Sequence, residues 1–113
     1  MPEPWEGIRD ALEYGNACAQ FDQFTRSFLG TDDCLYLNVF TKSIKPETPL
    51  PVMMWIHGGA YTFGSGDDLF YGPDYLLRKD ILLVTINYRV GVLGMNFLIV
   101  ERRECSTIHF DIG

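Results

Sequence analysis

Val52-Met53-Met54-Trp55-Ile56 is apolar at every position and runs directly into His57-Gly58-Gly59. Before it, Ser43 to Pro51 carries Pro46, Pro49 and Pro51, which no helix or central strand accommodates, so that stretch is a connecting loop. A short continuous apolar run bounded by proline and glycine is the pattern of a strand covered on both faces in an α/β sheet. Residues 58 to 66 are rich in glycine and form a loop. Gly72 to Asp80 then reads as a short helix, with Pro73 in its first turn and Arg78 and Lys79 near its C-terminal end. Ile81-Leu82-Leu83-Val84-Thr85-Ile86-Asn87 is a second buried-type strand. Strand, helix and strand in this order make a right-handed crossover within a parallel sheet, which sets the fold class as α/β.

Upstream, Cys34-Leu35-Tyr36-Leu37-Asn38-Val39-Phe40-Thr41 is rich in aromatic and β-branched residues and reads as a further strand. Residues 1 to 33 have little periodicity and suggest a loop-rich segment, with one short turn of helix near Ile8 to Glu13. No repeats or low-complexity tracts interrupt the chain.

With 113 residues of which 47% are hydrophobic, the sequence holds material for one modest core. Its net charge of -6 and nine scattered Lys and Arg offer no basic patch, so nucleic acid and anionic membranes are not expected partners. No apolar run approaches the roughly 20 residues that cross a bilayer. The start, Met1-Pro2-Glu3-Pro4-Trp5-Glu6, lacks the basic and apolar regions of a secretory signal. Three cysteines, Cys18, Cys34 and Cys105, allow one disulfide and leave one odd thiol. No Cys/His spacing resembles a zinc site, and no Gly-Lys-Ser/Thr or Gly-x-Gly-x-x-Gly supports phosphate binding.

A strand that ends in His-Gly-Gly leaves consecutive backbone N–H groups facing a cleft, where they stabilise the oxyanion of a tetrahedral acyl-transfer intermediate. That chemistry also needs a serine on a strand-to-helix turn, an acid and a histidine base. Ser65, in Phe63-Gly64-Ser65-Gly66-Asp67, lacks the first glycine of such a turn and follows a loop rather than a buried strand. No member of a catalytic triad is expected in this sequence.

Four blocks make the chain resemble a type-B carboxylesterase, the cholinesterase-like branch of the α/β-hydrolases, and most closely the insect α-esterases. They are Pro4-Trp5-Glu6-Gly7-Ile8-Arg9-Asp10-Ala11, Asp32-Asp33-Cys34-Leu35-Tyr36-Leu37-Asn38-Val39, Pro51 to Ala60, and Val84-Thr85-Ile86-Asn87-Tyr88-Arg89-Val90-Gly91-Val92-Leu93-Gly94. The resemblance covers residues 2 to 94. It implies a partial α/β-hydrolase fold, incomplete at both ends, in a domain fragment of residues 1–94. Residues 95–113, including His109, do not follow the family and read as an aberrant tail produced by a frameshift, a retained intron or a truncated gene.

The resemblance also implies roles. Gly59 and Ala60 would give two oxyanion-hole N–H donors from a loop opened by His57 and Gly58, with His57 a structural residue. Cys18 and Cys34 would form the family's first disulfide. Asp32 and Arg89 would be charges whose usual ion-pair partners lie outside this chain. The implied function is that of a fragment of a serine carboxylesterase, inactive alone, whose parent takes a small-molecule carboxylic ester and needs no cofactor. A fragment of a non-catalytic, cholinesterase-like adhesion protein is the alternative, since one fold serves both. Exposed strand edges in such a fragment would favour self-association.

Overall fold

The computed structural model describes residues 6–8 and 10–95. Its centre is a three-stranded sheet of β3 (Leu37–Phe40), β4 (Val52–Ile56) and β5 (Leu82–Ile86), in the order β3-β5-β4. Strand β5 pairs parallel with β4, from Val52 opposite Leu82 to Ile56 opposite Ile86. It pairs antiparallel with β3, from Leu37 opposite Ile86 to Phe40 opposite Leu83. The parallel pair demands a crossover, and residues 57–81 supply it. As the middle strand, β5 contributes two of the most buried side chains, Leu83 and Thr85.

The crossover differs in detail from the expectation. Gly72 to Asp80 does not form a helix throughout; it contains a 3-10 turn at Leu76–Arg78. A short helix, α1 (Asp68–Tyr71), forms just before it. The Asp67 carboxylate accepts from Leu69 N at 3.0 Å and caps this helix, and Gly72-Pro73 ends it. The Tyr71 ring then sits against Trp55 of β4, 5.1 Å between centroids.

The N-terminal part also differs. No helix occurs at Ile8 to Glu13 among the described residues. Ile8 and Leu12 are exposed, so burial of an apolar face does not hold a helix there, and a single isolated turn of helix is unfavourable in water. Among the described residues the first strands are a hairpin of β1 (Gln20–Asp22) and β2 (Ser27–Leu29). The Asp22 carboxylate accepts from Phe24 N and Thr25 N, at 2.7 and 3.2 Å, and turns the chain. Phe21 and Phe28 meet edge to face across the two strands.

Below the hairpin, Cys18 and Cys34 are joined by a disulfide, with 4.8 Å between their Cα atoms, and both are buried. Ala19 N donates to Thr31 O and Thr31 N to Ala17 O, each at 3.0 Å, so the stem is zipped as well as cross-linked. A last helix, α2 (Gly91–Met95), follows β5.

Strand β4 has the composition of a covered strand, yet all five of its residues are exposed, from 40% at Trp55 to 65% at Val52. The reason is positional. It is an edge strand, and the described residues provide no helical layer to cover it.

Candidate functional site

The parallel register brings Ile56 and Ile86 level, so the residues that follow β4 and β5 leave the same end of the sheet. Ligand sites of open α/β sheets form at that carboxyl end. There the imidazole of His57 stacks on the Tyr88 ring, with 4.2 Å between centroids and 8° between planes. The Tyr88 hydroxyl donates to His57 O at 2.7 Å. Burial raises the Tyr88 pKa above its ordinary value, and nearby Tyr61 adds to the effect, so the phenol remains a neutral donor.

His57 is 2% exposed and its Nδ1 lies 2.8 Å from Gly58 O. A carbonyl oxygen only accepts, so this contact assigns the proton to Nδ1. The other ring nitrogen, Nε2, is buried with no partner among the described residues. With one nitrogen bonded to the adjacent backbone and the ring clamped by Tyr88, His57 braces the loop it opens.

That loop is folded around the Gly59 carbonyl, which accepts from Thr62 N at 2.9 Å, Phe63 N at 3.3 Å and the Thr62 hydroxyl at 3.0 Å. Gly59 has φ +127°, and a Cβ there would collide with Phe63 O, so only glycine fits. Ala60 and Tyr61 follow with φ of +51° and +61°, left-handed values that strain any residue with a side chain. Among the described residues the N–H groups of Gly59 and Ala60 donate to no acceptor. They border an open cavity of about 510 Å³ lined by His57, Gly58, Gly59 and Ala60 on one side and by Ile86 and Tyr88 on the other.

The far end of the loop is held by side chains that sequence reading did not single out. Gly64 is gripped by Gln20 of β1: Gly64 N donates to Gln20 Oε1 at 2.7 Å, and Gln20 Nε2 donates to Gly64 O at 2.9 Å. Gly66 N donates to Asn87 Oδ1 at 2.7 Å, while Gly66 O accepts from Asn38 Nδ2 and the Thr85 hydroxyl. Asn87 Nδ2 in turn donates to Asn16 O and Cys34 O, both at 3.1 Å. The only sequence signal for these groups is a polar residue inside or just after an apolar strand.

Ser65 donates to Asp67 Oδ2 at 2.6 Å and so belongs to the cap of α1. Asp32 and Arg89, expected to lack partners, find each other: Arg89 Nε lies 3.0 Å from Asp32 Oδ1. Both side chains are partly exposed, at 78% and 40%, so neither is a buried orphan charge. Cys105 and His109 lie outside the described residues. Among the described residues no group of His, Cys, Asp and Glu is arranged to hold a metal ion, and no helix is long and apolar enough to cross a membrane.

The family model described as the carboxylesterase family matches residues 1–106, twelve residues past Gly94. Esterase B1 of Culex pipiens is 45% identical over 93 residues, covering 82% of this chain and 17% of the relative. Para-nitrobenzyl esterase of Bacillus subtilis (strain 168) is 42% identical over 102 residues, covering 82% and 20%. Among solved structures, juvenile hormone esterase from Manduca sexta, with OTFP covalently attached, superposes with a TM-score of 0.68 at 38% identity, over 80% of this chain and 18% of that one. The chain therefore spans between 17% and 20% of the length of these relatives.

Proposed function

Because this chain belongs to the carboxylesterase family, we propose that it supplies the oxyanion-stabilising part of a serine carboxylic ester hydrolase. The observation that carries this reading is the pair of unbonded N–H groups of Gly59 and Ala60 at the edge of the cavity. In such a reaction a serine oxygen, passing its proton to the histidine, attacks the ester carbonyl carbon, and the carbonyl oxygen takes up the negative charge. Collapse of that intermediate expels the alcohol, which takes a proton from the histidine, and water then releases the acid from the serine. Gly59 and Ala60 would hold the charged oxygen in both steps, each donor contributing about 10² to 10³ in rate. The serine, acid and base would come from parts of the family fold that this chain does not span. Alone it would be inactive, and the open edge of β4 would drive self-association.

Support also comes from Ser65, whose hydroxyl is committed to Asp67 rather than to an imidazole. The purified chain should not turn over a p-nitrophenyl ester above a Ser65→Ala control, nor take an organophosphate label on Ser65. The positive test is a graft of residues 6–95 into the matching part of the Bacillus para-nitrobenzyl esterase. The graft should hydrolyse its ester, Ala60→Gly should keep activity, and lactic acid in place of Ala60, which turns the N–H into an ester oxygen and leaves φ free, should lower kcat by about 10² to 10³ with little change in KM. Full activity of the lactic-acid graft would refute the assignment.

A further inference from the structure

We propose that Gln20 is a positioning residue for the oxyanion loop, and that the disulfide-closed hairpin is the support from which it acts. The inference rests on the reading of Gly59 and Ala60 as oxyanion donors. It begins from geometry that no sequence motif encodes. Gln20 is separated from Gly64 by 44 residues, yet its amide makes a reciprocal pair of bonds with both backbone groups of that glycine. The same Nε2 also donates to Cys18 O at 2.9 Å, one half of the disulfide. Three bonds therefore fix the carboxamide, and its acceptor and donor ends are not interchangeable.

What Gln20 grips matters because of what Gly64 touches. Gly64 has φ +121°, and a Cβ on it would collide with His57 Nδ1 and with Gly58 O. Its backbone is thus packed directly against the histidine ring and against the carbonyl to which that ring is bonded. Held at Gly64, the chain cannot retreat from His57. Phe63, one residue earlier, donates to the Gly59 carbonyl and so sets the plane of the peptide that carries the Ala60 N–H. A line of contacts leads from the Cys18–Cys34 staple through Gln20 and Gly64 to His57 on one branch and to Gly59 and Ala60 on the other. Ala60 and Tyr61 are in left-handed conformations, which persist only where the surroundings over-determine them. Gln20 supplies part of that constraint.

The experiment is residue-resolved hydrogen exchange on the 113-residue chain at low concentration, comparing it with Gln20→Met and Gln20→Glu. In Gln20→Met the amides of Thr62 and Phe63, which do not bond Gln20, should exchange about tenfold faster together with Gly64, while the β5 amides Leu82 to Ile86 keep their protection. In Gln20→Glu a protonated carboxyl offers one acceptor and one donor, enough for the reciprocal pair with Gly64 but not for Cys18 O as well, whereas a carboxylate has no donor. Its loop protection should lie near that of the parent below the ordinary glutamate pKa of about 4.3 and fall to that of the Gln20→Met chain above it. A change confined to Gly64 overturns the proposal, because the bonds would exist without holding the loop. So does a uniform rise that includes β5, an unchanged loop, or a Gln20→Glu pattern indifferent to pH. Exchange is read without substrate, so an inactive graft with a clamped loop refutes the esterase reading alone. An active graft whose loop ignores Gln20 refutes the positioning role alone.

Discussion

The His57 imidazole lies flat against the Tyr88 ring, 4.2 Å between centroids, while the Tyr88 hydroxyl donates to the carbonyl of the same histidine at 2.7 Å. One tyrosine thereby fixes both the ring and the backbone at the point where β4 becomes the loop.

This pairing makes stability sensitive to alkali. Tyr88 titrates above its ordinary value of 10.0 in the fold, first because of burial and then because of Tyr61. Tyr14 does so too, through burial and then its hydrogen bond to Asp68. Above the unfolded tyrosine value the native chain keeps protons that the unfolded chain has lost, so this stability is complete below about pH 10 and declines above it. Urea midpoints measured from pH 8 to 11 should fall at the alkaline end. Tyr88→Phe should flatten that slope and cost about 1 kcal/mol at neutral pH for the lost donor; an unchanged slope would place the titration elsewhere.

Ala60 should be improved by glycine. Its left-handed φ costs about 1–2 kcal/mol, and glycine gives back about 0.4–1 kcal/mol in unfolded-chain entropy. Ala60→Gly is therefore expected to gain roughly 0.5–1 kcal/mol in urea unfolding, and Ala60→Val, β-branched at the same φ, to lose stability. A destabilised Ala60→Gly would show that Ala60 is not strained.

Reduction of Cys18–Cys34 should cost about 3 kcal/mol on loop-closure grounds, for the fifteen residues enclosed. Non-reducing peptide mapping after oxidation should recover that linkage, with Cys105 free or in intermolecular dimers. Recovery of Cys105 bonded to Cys18 as the main species would contradict it.

Breaking Asp32–Arg89 should matter little. Exposed pairs of this kind are worth about 0.2–1 kcal/mol, far from the cost of a buried orphan charge. Asp32→Asn is expected to shift stability within that range, with the difference shrinking as salt is added. A loss of several kcal/mol would mean that the pair is shielded by a neighbour.

The isolated chain should self-associate along β4, whose five apolar residues carry no charge and no proline. Size-exclusion chromatography should show oligomers, and Met54→Lys should shift the profile toward monomer. A monodisperse parent chain with a cooperative, several-kcal/mol transition would show that these residues suffice as a domain.

The two strands that build the site were legible because each is a continuous apolar run between breakers: Pro51 and His57-Gly58 bound one, and Lys79-Asp80 and Asn87 flank the other. His57-Gly58-Gly59 stood out for the same reason, as the glycine-rich break at the end of an apolar strand. The β1–β2 hairpin was not. Its strands are three residues each, and its signal resides in an Asp22 carboxylate that folds back on the next backbone groups. Gln20 was invisible because its partner is a backbone group brought near only by tertiary structure. The contact between Asp32 and Arg89 was not legible either, since the resemblance directed attention to partners outside this chain. Asn87 Nδ2, bonded to Cys34 O, draws the start of the Arg89 segment toward the stretch that begins at Asp32.

The short reach of the bonds around the loop bears on the order in which such a protein is made. Gln20 grips Gly64 across 44 residues, Tyr88 reaches His57 across 31, and Asn87 reaches Gly66 across 21. The residues that make these three contacts around the loop have therefore all left the ribosome once Tyr88 has emerged. At about 5–20 residues per second, translation exposes this whole segment within seconds to tens of seconds. On the proposed reading, the N–H donors for the charged oxygen would be in place before the nucleophile is translated, and assembly of an active centre would be the docking of that nucleophile onto a loop already folded.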